Sequence, residues 1–148
     1  MGIVERIHYI DNWLYCHKIP LLPTLGKGLL RILFGVVLPP SVCLGRDVLI
    51  GYQGLGTVIH ATARIGDRVT IGTNVTIGGR SGRKGVPTIE ADVYIGTGAR
   101  LLGPIVIGRG AQIGANAVVL TDVPAGAVFA GVPARAIRHG AAIQINEI

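Results

Sequence analysis

The sequence is poor in the residues on which many small proteins depend. Charged side chains are 15% of its 148 residues and aromatics 5%, against roughly 25% charged in an average domain. Its two cysteines, Cys16 and Cys43, make no disulfide framework, which fits a reducing compartment and a cytoplasmic location. No uninterrupted apolar run reaches the ~20 residues that cross a bilayer. The most apolar stretch, 19–38, is broken by Pro20, Pro23, Lys27 and Arg31. The opening MGIVERIHYIDNW carries acids and lacks the apolar core of a secretory leader. Arg6 stands where a myristoylation signal needs Ser or Thr. There is no Cys/His cluster of metal-ligand spacing, and Gly78-Gly79 lacks the GK[ST] ending of a phosphate loop. The net charge is +6 with a pI near 9.9, yet the bases are scattered and few aromatics accompany them. That argues against nucleic acid and for a smaller anionic ligand.

Glycine is abundant, 23 residues, and 49% of the chain is apolar. So much apolar surface excludes disorder. So much glycine disfavours an ordinary helical domain, since each interior helix glycine costs about 1 kcal/mol. Val, Ile, Leu and Ala dominate the apolar set, which leans towards strands.

From Ile59 the sequence repeats in hexads. Ile59, Ile65, Ile71, Ile77, Ile89, Ile95, Leu101, Ile107, Ile113 and Val119 share one phase, broken only by Arg83. A small or aliphatic residue follows four positions later. Glycine often stands immediately after the phase residue, as in Gly66, Gly72, Gly96 and Gly108. A period of six matches neither a 3.6-residue helix nor a long alternating strand. It predicts short strands joined by tight corners, with glycine supplying corner backbone that other residues reach poorly. Three hexads close one triangular coil, and stacked coils make a parallel β-solenoid.

Segments such as IGDRVT-IGTNVT, IGTGAR and IGRGAQ-IGANAV, with the ending DVPAGAVFAGVPAR, resemble the hexapeptide-repeat acyltransferases. The resemblance covers residues from about 38 to 138 and implies a left-handed parallel β-helix. The stretches TVIHATARIG, NVTIGGRSG and VYIGTGARLLGPIVIG are similar to the serine acetyltransferase branch, and most of all to its shorter relatives in surface-polysaccharide biosynthesis. Residues 1–37 read as a helical cap with helices over 3–18 and 24–35, residues 38–138 as the β-helix, and 139–148 as a tail. Lys27, Arg31 and the leucines of 19–38 allow a weak membrane-surface contact. The flat aliphatic faces of so small a solenoid need covering, and the resemblance implies a homotrimer with active sites between subunits.

Two breaks interrupt the repeat. Ile50 and Ile59 are nine apart instead of six, so GYQGLGTVI bulges out. The stretch GRSGRKGVPT, 79–88, keeps hexad phase without hexad residues and is expected to leave the coils as a basic loop. Positions one full coil of three hexads apart stack on each other, which places His60 beside Gly78 at the root of that loop. The reading therefore expects His60, the Gln53 bulge and the loop in one neighbourhood.

The resemblance implies acetyl transfer from acetyl-CoA, without metal, to a hydroxyl of a sugar, free or lipid-linked, in polysaccharide assembly. L-serine is the alternative acceptor, and a non-catalytic scaffold is another. A hydroxyl needs a general base within hydrogen-bond reach, and histidine is the usual one. Aligning the family's catalytic segment places Gln53 where the family has its histidine, Val37 near that histidine's carboxylate partner, and Val86 where it has a second histidine. Glutamine takes no proton. Three readings stay open: His60 as base, a base from elsewhere such as another subunit, or a degenerate site. Gln53 is then a substrate-orienting or oxyanion donor. For acetyl-CoA the resemblance points to Gly79, Lys84, Gly98, Ala99, Ala117 and Arg135. For the acceptor the candidates are Asn74, Thr76, Arg80 and Arg83. His8 and His17 fall on the cap and His139 beyond the coils, as structural or solvated residues.

Overall fold

The structure, a computed structural model, describes residues 2–19 and 22–138. His139 and the tail 139–148 lie outside the described residues. The period of six builds a parallel β-solenoid with three flat faces. The first face holds Cys43–Leu44, Arg64–Ile65, Thr88–Ile89 and Val106–Ile107. The second holds Leu49–Ile50, Thr70–Ile71, Tyr94–Ile95, Gln112–Ile113 and Val128–Ala130, and closes with an antiparallel strand, Arg135–Arg138. The third holds Val58–Ile59, Thr76–Gly78, Arg100–Leu102 and Val118–Val119. Every hexad-phase aliphatic residue from Ile59 to Val119 points inward and is buried. The residue four positions on fills the same core, as Val69, Val75, Ala99 and Ala117 do.

Strand pairing follows the register. Thr88 pairs with Val106 and Arg100 with Val118, each pair one full coil of three hexads apart. Arg64 pairs with Thr88 at a separation one hexad longer, and the loop of 79–87 takes up the surplus. Cys43 pairs with Arg64 at a separation half a hexad longer than a coil, and the bulge takes up that surplus.

The hexad glycines serve a purpose other than the expected one. Gly66, Gly72, Gly96 and Gly108 are absent from the positive-φ residues. Each lies instead where a Cβ would collide with the backbone of the next coil, at 2.5–2.7 Å from an amide nitrogen. Left-handed corner positions fall two residues later, on Arg68, Asn74, Gly98, Gly110 and Asn116. At these four positions glycine is thus required by close approach of coils rather than by backbone conformation.

Two helices, α1 (Ile3–Cys16) and α2 (Leu22–Phe34), precede the coils. A parallel solenoid leaves the amides and carbonyls of its first coil unpaired, an open edge. Polar side chains of α1 meet them. Glu5 accepts the Ile50 N–H at 2.7 Å. His8 Nε2–H donates to the Val42 carbonyl at 3.2 Å. Asn12 donates to the Pro40 carbonyl and Tyr9 to that of Gly45. Burial holds the His8 pKa below its usual 6.5, with the Val42 bond opposing the shift. The unfolded chain therefore takes up the proton first, and stability present above pH 6.5 is lost as pH falls below it. We expect the melting temperature to drop from neutral pH to about pH 5. His8→Gln keeps a donor for Val42 but cannot titrate there, so it flattens that drop. An unchanged slope in His8→Gln would remove His8 as the cause.

Candidate active site

The corner between the third and first faces gathers half of the predicted residues. On the first coil this corner begins at His60, whose backbone N–H donates to the Ile77 carbonyl at 2.8 Å. His60 thus lies beside Gly78, as the coil register requires. Its ring is exposed. Nδ1 lies 3.1 Å from the Thr62 hydroxyl and 3.3 Å from the Thr62 backbone nitrogen.

On the second coil the same corner becomes the loop. Arg80 and Arg83 face each other across a tight turn, with the Arg83 N–H donating to the Arg80 carbonyl at 3.0 Å and Gly82 at φ 75°. Gly79 starts the loop and Lys84 is exposed on it. The loop folds down the corner, where Arg80 packs on Gly103 and Gly85 on Pro104. Gly103 anchors it by donating to the Gly78 carbonyl at 2.9 Å.

Beyond the loop, a cleft of about 450 Å³ is lined by Arg80, Arg83, Pro104, Ile105, Leu120, Thr121, Asp122, Pro133 and Arg135. Three guanidinium groups meet one carboxylate there. Asp122 already accepts the Val106 N–H at 2.8 Å, which ties it to the fold and leaves the arginines dominant. Planar guanidinium groups bind phosphate and carboxylate oxygens in pairs. Arg80, Arg83 and Arg135 are far apart in sequence, and the sequence reading assigned them to different ligands. The hexad count does not reach Leu120, Thr121 and Asp122, because this coil is shorter than three hexads: Val123 bridges Ile107 and Asp122 falls beside Val106.

Gln53 does not join this cluster, which corrects the expectation of a single neighbourhood. It sits in the turn Gly51–Gly54, at the corner between the second and third faces. The bulge is taken up by left-handed backbone at Tyr52 and Gln53, φ 47° and 58°. His60 begins the corner at the other end of the same strand, Val58–Ile59. The inserted bulge emerges before that strand and His60 after it, so one chain keeps them apart.

Asn74 and Gly98 belong with Gln53 at the second–third corner. The Asn74 N–H donates to the Leu55 carbonyl, and the Asn74 side chain packs under Gly56. Thr76 is half-buried on the third face, paired with Val58 and Arg100. Ala99 and Ala117 are fully buried, and their backbone groups are bonded within and between coils, so they shape the corner from inside and do not face a ligand. Away from both corners, Arg68 and Arg109 hold Asp92, and Arg46 holds Asp67. The Arg68 hydrogen bond chiefly lowers the Asp92 pKa, and the Arg46 backbone N–H that of Asp67. These exposed pairs tie successive coils together and leave no carboxylate there poised as a base.

Residues 87–121 match the family described as bacterial transferase hexapeptide (six repeats). The chain is 41% identical over 132 residues to a serine acetyltransferase of Synechococcus elongatus, covering 88% of this chain and 54% of that protein. It is 44% identical over 132 residues to one of Mycobacterium tuberculosis, covering 88% and 57%. A solved serine acetyltransferase in complex with CoA superposes with a TM-score of 0.83 at 33% identity, covering 90% of this chain and 55% of that one. The Neisseria gonorrhoeae serine acetyltransferase in complex with serine gives 0.83 at 35%, covering 89% and 54%. The coils thus match the left-handed β-helix of those enzymes, and the chain spans about half the length of the curated relatives it matches. These relatives overturn the expected sugar acceptor and polysaccharide branch. That expectation rested on two substituted positions, Gln53 and Val37, where the family's histidine and its carboxylate partner are missing, and on a short helical region. The identity runs instead along nearly all of the chain.

Proposed function

We propose that this chain, whose residues 87–121 match the bacterial transferase hexapeptide repeats, is an acetyl-CoA-dependent O-acetyltransferase whose acceptor is the hydroxyl of L-serine. The observation that carries this reading is the match of the coil stack, over nine-tenths of the chain, to serine acetyltransferases solved with CoA and with serine.

The cleft of Arg80, Arg83 and Arg135 suits the phosphates of CoA. Lys84 adds positive charge on the same loop. His60 accepts the serine proton. In the tautomer whose Nδ1–H donates to the Thr62 hydroxyl, in place of the one whose Nδ1 accepts the Thr62 N–H, the Nε2 lone pair is free to act as base. The serine oxygen attacks the thioester carbonyl, the C–S bond breaks, and the proton passes from His60 to the departing thiolate. Gln53, at the opposite corner, contributes an amide donor from a neighbouring copy in a homotrimer. Asn74 and Thr76 line that same side of the acceptor. Trimeric packing unites the two corners that a single chain separates.

Thiol release from acetyl-CoA on addition of L-serine tests the reading. Binding of acetyl-CoA without turnover of L-serine would overturn the acceptor, and a monomer in sedimentation velocity would overturn the shared site. Arg135→Ala is expected to raise KM for acetyl-CoA about tenfold with little change in kcat, the loss of one charge-assisted contact.

A further inference from the structure

The two helices leave an apolar face that nothing among the described residues covers. On α2, Leu30 turns inward and is fully buried. Leu25, Leu29, Ile32 and Leu33 point outward, Ile32 being 84% exposed and Leu25 67%. Their spacing of four, three and one places them on one stripe of the helix. On α1, Ile3, Ile10 and Trp13 are exposed on the side away from the buried Val4 and His8. Leu14 of α1 joins the α2 stripe across a groove of about 530 Å³ lined by Leu25, Gly26, Gly28, Leu29 and Ile32, with Asp11 at its base.

The charge around this face has a single sign. Residues 2–36 contain two acids, Glu5 and Asp11, and both are buried. Glu5 is committed to the Ile50 N–H, and Asp11 lies beneath Gly26 of α2. The four bases, Arg6, Lys18, Lys27 and Arg31, are all exposed. Pairing this surface with its own copy would set bases against bases with no exposed acid to meet them. A bilayer of anionic lipid accepts both parts, with the aliphatic stripe at the acyl boundary and the bases at the phosphates. Trp13 has the amphipathic ring favoured at that depth. Among the described residues no helix is long and apolar enough to cross a membrane, so the contact lies in the plane of the surface.

We propose that the α1–α2 unit docks this protein on an anionic lipid bilayer through the Leu25–Leu29–Ile32–Leu33 stripe, drawn there by the net positive charge of the two helices. The docking does not depend on the acetyl-transfer reading. The test is co-sedimentation of the full chain with vesicles of phosphatidylcholine alone and of phosphatidylcholine mixed with phosphatidylglycerol. The chain is expected to pellet with the anionic vesicles, to stay in solution with phosphatidylcholine alone, and to be released by high salt. Lys27→Gln with Arg31→Gln should lower the partition coefficient roughly 30-fold, and Ile32→Glu should abolish pelleting. All three positions are exposed, and an unchanged melting temperature confirms that each variant folds. Failure to pellet with anionic vesicles would overturn the proposal, as would equal binding to both lipids or variants that bind like the parent. Self-association without lipid, lost in Ile32→Glu and unaccompanied by vesicle binding, would assign the face to a second copy and overturn it too.

Discussion

Gly96→Ala is expected to cost about 3 kcal/mol of folding stability, whereas Gly110→Ala, farther along the same solenoid, should cost about 1 kcal/mol. The two glycines illustrate two different requirements. At Gly96 an added Cβ would lie 2.6 Å from the Ala115 nitrogen and 2.9 Å from both the Gly114 carbonyl carbon and the Ile113 oxygen. All three are backbone atoms of the following coil, and that coil is fixed to Gly96 itself by the Gly96 N–H to Ile113 carbonyl bond at 2.8 Å. Relief requires moving one coil off another, which breaks ladder bonds on a neighbouring face as well. At Gly110 nothing lies within 4 Å of the added atom, and the cost is the left-handed backbone alone, φ +68°. Urea unfolding of the parent and both variants measures the difference. Equal losses would mean that close approach of coils is not what holds glycine in the hexad.

The same contrast shows what the sequence made legible. Ten aliphatic residues in one phase define a coil closely enough that the strand pairs, the bulge and the looped-out hexad were countable before any coordinates. Such arithmetic works because each coil contacts only its neighbours, so a position in the repeat is also a position in space. The reason for glycine was less legible, because a missing Cβ serves both close approach and positive φ, and only atomic distances separate them. The row of Glu5, His8, Tyr9 and Asn12 was hidden as well. Helical periodicity shows which face of α1 is apolar but not that the first coil presents free carbonyls and an amide to it. The arginine cleft was partly legible. Arg80 and Arg83 stood out as a basic loop, but Arg135 reaches them through the chain reversal after Val128–Ala130, which no hexad count predicts. The acceptor was misjudged for a related reason. Two substituted positions carried too much weight against agreement spread over the whole coil stack.

His60→Ala is expected to lower kcat for L-serine acetylation about 100-fold, the usual contribution of a general base, with the KM for acetyl-CoA nearly unchanged. The split follows from position. His60 belongs to the first coil's corner, above the loop root, whereas Arg80, Arg83 and Arg135 lie in the cleft farther along the stack. Losing the imidazole removes proton transfer and leaves the phosphate contacts in place. Thr62→Val refines the assignment. It deletes the hydroxyl that can accept from Nδ1–H but keeps the backbone N–H 3.3 Å from the same nitrogen. Only the hydroxyl favours the tautomer with Nε2 unprotonated; the N–H favours the opposite one, which presents a donor instead of a base. Thr62→Val should therefore lower kcat as well, by roughly tenfold if the neutral ring spends most of its time in the wrong tautomer. A His60→Ala enzyme that turns over at the parent rate would move the base to another group. Gln53 supplies no proton acceptor of that kind, so the search would pass to a histidine or carboxylate facing the loop from a neighbouring copy. Full activity in Thr62→Val alongside a large loss in His60→Ala would keep His60 as base and discard the tautomer argument.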